Sequence, residues 1–294
     1  MVRGMASFYD QIAANKRNSY LLIVVVFAVA FAAIYAFTWL FLDGGIFGLA
    51  ISTTFAIIYI LASYFYADKL VLTMSGARKA RKNEFPYLVN VIEGLSLAAG
   101  IPKPKIYVID DPALNAFATG TSPEKASVAF TTGLLKALNR TELEGVAAHE
   151  MSHIKNFDCR LATLVVVMVG LVAIISELGI RSMFWGAGRG RKGGGGLFAI
   201  IGLLIIIIAP IAAHLVRLAL SRQREYLADA TGANLTRYPP GLASALEKIK
   251  KKGAKVQRAS DATAPIYFAS PVSLSGAFST HPPIDERIKR LKAM

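Results

Sequence analysis

The sequence predicts a mostly α-helical, multi-span membrane protein whose polar remainder forms a helix-rich domain with a small β-sheet. Three observations carry this. Apolar residues make up 54% of the 294-residue chain and the mean hydropathy is +0.47, above the usual balance of a soluble protein. Residues 20–42 and 46–67 contain no charge, and each is long enough to meet the roughly 20 residues that cross a bilayer. Two further apolar stretches, 161–180 and 197–216, hold between them one acidic residue, Glu177. The chain therefore divides into an N-terminal segment with a transmembrane hairpin (1–67), a polar segment (68–160), a second hydrophobic hairpin (161–216) and a second polar segment (217–294).

The first span has no small-residue cleavage site after its long apolar run, so it is expected to stay attached as a signal anchor. Only Asp43, Gly44 and Gly45 separate it from the second span, which makes a tight hairpin. Arg3, Lys16 and Arg17 precede this pair, Lys69, Arg78, Lys79, Arg81 and Lys82 follow it, and the turn has no Lys or Arg. The positive-inside rule then places the N-terminus and the polar domain in the cytoplasm of a multi-pass cell-membrane protein. This assigns much of the net charge of +14 to the lipid bilayer, and no motif or interleaved aromatic and basic pattern points to nucleic acid. The single cysteine, Cys159, excludes an intramolecular disulfide and fits a reducing compartment.

Within the first polar segment, residues 86–99 (PYLVNVIEGLSLAA) have helical periodicity and stop at Gly100, a favourable C-cap. Residues 105–110 and 127–135 are rich in β-branched and aromatic side chains and predict strands, with 113–120 a weaker third. Thr141 and Glu144 match a capping box, so a helix is expected to begin near 141 and run through HEMSH at 149–153.

At 3.6 residues per turn His149 and His153 lie one above the other on one helix face, so both imidazoles can reach one ion. Zinc suits them, because it accepts neutral imidazole and a catalytic site needs only three protein ligands plus water. Glu150 beside the first histidine is placed to take the proton of a water whose pKa zinc lowers to about 7. The pattern is the zincin signature. The plainer alternative is two satisfied histidines on a buried helix.

SRQREYLADATG (221–232) weighs against that alternative. Glu225 and Asp229 are also four apart, so Glu225 can be a third ligand and Asp229 can accept the free N–H of a ligating histidine. A solvated charged face is the bland reading of the same run. Geometry favours the site: if the flanking helices leave the membrane straight at 1.5 Å per residue, His153 and Glu225 both stand about 12 to 14 Å above it. Asp158 falls on the opposite side of an unbroken helix from His149, which excludes direct support of that ligand unless the helix breaks. His214, Arg217 and Glu177 are read as interfacial.

HEMSH (149–153), EYLAD (225–229) and STHPPIDER (279–287) together resemble, in that order, the HtpX family of integral-membrane zinc endopeptidases, related to the type I CaaX prenyl endopeptidase. The resemblance spans most of the chain. It implies a cytoplasm-facing zincin domain that cuts membrane or misfolded polypeptides in quality control, with one Zn2+ on His149, His153 and Glu225 and Glu150 as base. It also implies that Asn115, Ala116 and Phe117 form an edge strand beside the active site, to which an extended substrate adds; alone, Asn115 reads as a turn residue. It places His281 and Arg287 near the metal. Alone, His281 before two prolines reads as a loop residue; the resemblance puts it and Arg287 where they can stabilise the oxyanion or steady Glu225, and with three ligands assigned His281 is expected to donate to the transition state. A CaaX-type enzyme needs a large lipid-accessible chamber that four spans are too few to enclose, and an inactive scaffold need not keep Glu150.

One segment conflicts with this topology. Residues 181–196 would connect the last two spans on the far side, yet they carry Arg181, Arg189, Arg191 and Lys192. Either a glycine-rich loop crosses despite its charge, or residues 161–216 lie partly in the interface. Twenty apolar residues on each arm favour spanning.

Overall fold

The computed structural model describes residues 8–41, 44–187, 222–253, 256–257, 263, 266–269 and 282–294. α1 (Phe8–Phe41) and α2 (Gly45–Met74) form the expected hairpin, and both outrun their apolar segments. Each is long and apolar enough to cross a membrane, over Ile12–Ala36 and Gly45–Met74. The turn is tight because Gly44 and Gly45 both take a φ of 60°, a region that costs glycine little.

A long helix labelled α6 (Asp158–Ala187) carries the predicted third span. Leu161, Leu164, Val165 and Met168 on it are buried against Leu22, Val26 and Ala56 of the hairpin, and Tyr59 Oη donates to Val167 O at 3.3 Å. The predicted fourth span, 197–216, lies outside the described residues, as does residue 188 onward of its connection.

The polar domain contains β1 (Ala77–Lys79), α3 (Pro86–Ala99), β2 (Lys105–Ile109), β3 (Ala116–Thr119), β4 (Ser127–Thr131), α4 (Thr132–Ala137), α5 (Arg140–Lys155), α7 (Arg222–Thr236), α8 (Pro239–Lys252) and α9 (Ile284–Lys292). The sheet order is β1-β2-β4-β3, with β2 parallel to β4 and both outer strands antiparallel to their neighbours. α3 ends at Gly100 in the left-handed conformation, as its sequence predicts. Val128, Phe130, Ile92, Val146 and Leu246 belong to one buried core that joins the sheet to α3, α5 and α8.

Three local expectations are corrected. The strand expected over 127–135 stops at Thr131, whose hydroxyl caps α4 by accepting from Leu134 N. The capping box of α5 lies two residues earlier than Thr141 and Glu144: Asn139 Oδ1 accepts from Glu142 N at 3.0 Å, and Asn139 N donates to Glu142 Oε2 at 2.8 Å. Asn is the better N-cap, and Glu144 pairs instead with Arg140 one turn away at 2.8 Å. The third correction is larger. α5 does not continue straight into the third span: Phe157 takes a φ of 59°, and the axis turns by 78° between Lys155 and Asp158. The straight-helix argument for a common height of the ligands therefore fails, and Asp158 is swung out of the register that an unbroken helix would give it.

Candidate metal centre

α5 is the floor of the site. Ala147, Ala148 and Met151 anchor it in the core, and its four-residue repeat aligns the two imidazoles, whose Nε2 atoms face each other at 3.1 Å. α7 crosses close by because it has glycine at 232: a Cβ there would stand 2.9 Å from His149 N. That approach delivers Glu225. Its Oε2 lies 3.7 Å from His149 Nε2 and its Oε1 3.5 Å from His153 Nε2. Ligands at about 2.0 to 2.1 Å around a tetrahedral zinc are separated by about 3.3 Å, so the three edges bracket the expected value. Among the described residues this is the one group of three His, Cys, Asp or Glu side chains whose ligand atoms gather closely enough to hold a metal ion.

Each imidazole is fixed from behind. His149 Nδ1 lies 2.9 Å from Asp229 Oδ1, and His153 Nδ1 lies 3.0 Å from Asp158 Oδ2. In both rings Nδ1 faces a carboxylate, which makes Nδ1–H the donor and turns Nε2 toward the cluster, where it can ligate once it carries no proton. The sequence placed Asp229 in this role; Asp158 reaches its own because of the bend at Phe157. Asp229 is braced by Arg287, whose Nε and Nη2 donate to it at 2.8 and 2.7 Å. Arg287 is 1% exposed, stacks on the Phe268 ring and sits 3.7 Å from Glu225 Oε2, so it steadies the ligands and does not face the pocket.

The electrostatics follow from burial and these pairs. Burial pushes His149 down to about 4. Burial opposes protonation of His153 too, but Asp158, Glu225 and Glu150 around it carry it up to about 9. That position favours a cation, a proton or a metal ion that displaces it. Burial also works against ionising Asp229, yet the Arg287 guanidinium outweighs it and holds the carboxyl at about 2. Glu150, 2% exposed, is raised by burial to about 7, and its Oε1 has no hydrogen-bond partner among the described residues. Cys159 lines the same pocket, but burial pushes its thiol up to about 12, which keeps it protonated and a poor ligand.

The edge strand has a different layout from the one implied by sequence. β3 is an edge of the four-stranded sheet, but its first half and the preceding Asn115 are paired on the outer side by residues 267–269. Phe268 N donates to Ala116 O at 2.8 Å, Phe117 bridges Tyr267, and Asn115 clamps Ala269 by donating to its carbonyl at 2.8 Å and accepting from its N–H at 3.1 Å. The β3 residue that lines the metal pocket is Ala118, opposite Glu150. His281 lies outside the described residues. Sequence reasoning weighed Asp158 only as support for His149 and set it aside for an unbroken helix; it missed Arg224, Ala118 and Phe268, which carried no signal.

Residues 82–294, well over half the chain, match peptidase family M48. The chain belongs to that family. As an M48 peptidase it is a metalloprotease, a hydrolase of peptide bonds, and its apolar helices make it a membrane protein. It is similar to the protease HtpX homologs of Dictyoglomus turgidum, at 49% identity over 291 residues, and Dictyoglomus thermophilum, at 50% over 292; each match covers 98% of this chain and 95% of the relative. The protease HtpX homolog of Caldanaerobacter subterraneus subsp. tengcongensis is 47% identical over 294 residues, 98% of both chains. The crystal structure of S. mikatae Ste24p shares the fold of this M48 peptidase with a TM-score of 0.51 at 19% identity, over 95% of this chain and 66% of that one.

Proposed function

We propose that this chain is a zinc-dependent endopeptidase of the membrane that hydrolyses peptide bonds of membrane or misfolded proteins, in membrane protein quality control. The observation that carries this reading is the triangle of His149 Nε2, His153 Nε2 and a Glu225 carboxylate at 3.1, 3.5 and 3.7 Å, with a carboxylate behind each imidazole. A zinc ion held there would supply Lewis-acid chemistry and lower the pKa of water near neutral pH. His149, His153 and Glu225 would hold the ion, and Asp229 and Asp158 keep the rings in the ligating tautomer. Glu150, buried beside the ligands with an Oε1 that has no hydrogen-bond partner among the described residues, takes the proton of the attacking water and passes it to the leaving amine. The backbone of Ala118 is the stretch of edge beside which an extended substrate lies, continuing the line that residues 267–269 occupy on Asn115–Phe117. His281 retains its role as transition-state donor.

The purified full-length protein is expected to contain one zinc per chain by metal analysis and to cleave casein. A strong chelator should abolish cleavage, and stoichiometric zinc should restore it. Cleavage that survives removal of all metal would exclude the reading.

The two polar segments, 68–160 and 217–294, form one catalytic domain on the cytoplasmic side, with 161–216 as a spanning hairpin between them. Gly194→Cys in a Cys159→Ser background checks this topology. A membrane-impermeant maleimide is expected to label intact cells; labelling only after permeabilisation would overturn spanning and favour a hairpin that lies partly in the interface.

A further inference from the structure

α1 does more than anchor the chain. Near the N-terminal end of its apolar stretch, three of its residues grip the bend between α5 and α6. Lys16 Nζ sits 4.4 Å from the centre of the Phe157 ring, the residue with φ 59°, and the Arg160 guanidinium lies 4.7 Å over the Tyr20 ring. Between them, Asn15 is 5% exposed and hydrogen-bonded at both ends of its carboxamide. Its Nδ2 donates to Asp158 Oδ1 at 2.6 Å and to Asn156 O at 3.0 Å, and its Oδ1 accepts from Arg224 Nη1 at 3.2 Å. The partners dictate this orientation: the Asp158 carboxylate and the Asn156 carbonyl only accept, and the guanidinium only donates.

The carboxamide therefore joins the two elements that supply the ligand cluster. On one side is the bend that carries Asp158, whose other oxygen holds His153 Nδ1 at 3.0 Å. On the other is the first turn of α7, where Arg224 adjoins Glu225 and comes within 3.8 Å of Asp158. With one oxygen on His153 and the other on Asn15, the Asp158 carboxylate cannot rotate freely, and the His153 ring inherits that constraint. We infer that Asn15 is a positioning residue of the metal centre: by fixing Asp158 and Arg224 together it sets the His153 ring and the register of Glu225, and it makes the first membrane helix a component of the active site. This rests on the zinc-peptidase reading for its catalytic consequence.

Asn15→Leu tests it in the full-length protein, because leucine has nearly the shape of asparagine, suits a helix entering lipid and can make none of the three hydrogen bonds. Zinc affinity measured by chelator competition is expected to fall about tenfold, within the range for a residue supporting a metal ligand. With saturating zinc, kcat on casein should fall while KM stays near wild type. Asn15→Ala should behave alike, and Val24→Ala, on the exposed face of α1, should match wild type. A packing role instead predicts that Asn15→Leu keeps wild-type affinity. Metal-free protein gives an independent readout: Asn15→Leu should speed amide hydrogen exchange across residues 153–160. If the wild type takes up no zinc, the zinc-peptidase reading fails, and this exchange measurement alone decides the positioning role. Unchanged exchange with unchanged zinc affinity would overturn the inference.

Discussion

Glu150→Gln is expected to retain zinc and to lose proteolysis, with kcat reduced by about 10²- to 10⁴-fold, the usual worth of a positioned general base. The amide has nearly the same shape, so His149, His153 and Glu225 keep their geometry, but it cannot accept the proton of the attacking water. The same substitution should raise stability in the metal-free protein. Burial lifts the folded-state value of Glu150 to about 7, above the ordinary 4.5. Between those values the folded state binds more protons than the unfolded one, so stability is full at acid pH and is lost as pH rises through about 7. Glutamine removes that loss. Thermal melts at pH 8 should therefore show the variant above wild type, with the gap closing toward pH 4.5. A variant that cleaves casein at the wild-type rate would remove Glu150 from the mechanism.

The site was legible before any coordinates for a local reason. Spacing of four places side chains on one helix face whatever surrounds them, so His149 with His153 and Glu225 with Asp229 could each be paired from sequence. The limits of α3 were legible for a similar reason, since Gly100 stops a helix by a property of its own backbone. What escaped was long-range or irregular. The bend at Phe157 has no glycine or proline to announce it, and Asp158 serves His153 only through that bend. Asn15 meets Asp158 and Arg224 across |i−j| separations of 143 and 209, and Asn115 meets Ala269 across 154, distances over which no periodicity speaks. The pairing of residues 267–269 with β3 likewise depends on tertiary packing, so the Asn115–Phe117 edge looked open when its outer side is in use.

Glu225→Ala and Asp229→Ala, one helical turn apart, are expected to fail in different ways. Losing Glu225 removes one of three ligands, so zinc affinity should drop by at least the roughly 100-fold that marks the upper range for outer supporting residues, and activity should vanish with it. The fold should persist, because Arg287 keeps both of its short hydrogen bonds to Asp229. Losing Asp229 leaves all three ligands but takes from Arg287, a guanidinium 1% exposed, its two shortest hydrogen bonds, leaving it the Phe268 carbonyl at 3.3 Å and Glu225 at 3.7 Å. Breaking a buried ion pair by removing one partner costs up to about 3 to 5 kcal/mol, and Glu225 offsets part of that here. Zinc affinity should fall by only about 10- to 100-fold, as His149 loses the acceptor that orients it. Chemical denaturation of the metal-free variants separates the two: Asp229→Ala should unfold at markedly lower denaturant and Glu225→Ala close to wild type. If instead Glu225→Ala were the unstable variant and Asp229→Ala bound zinc normally, the division of labour along α7, a ligand in its first turn and a brace in its second, would be wrong.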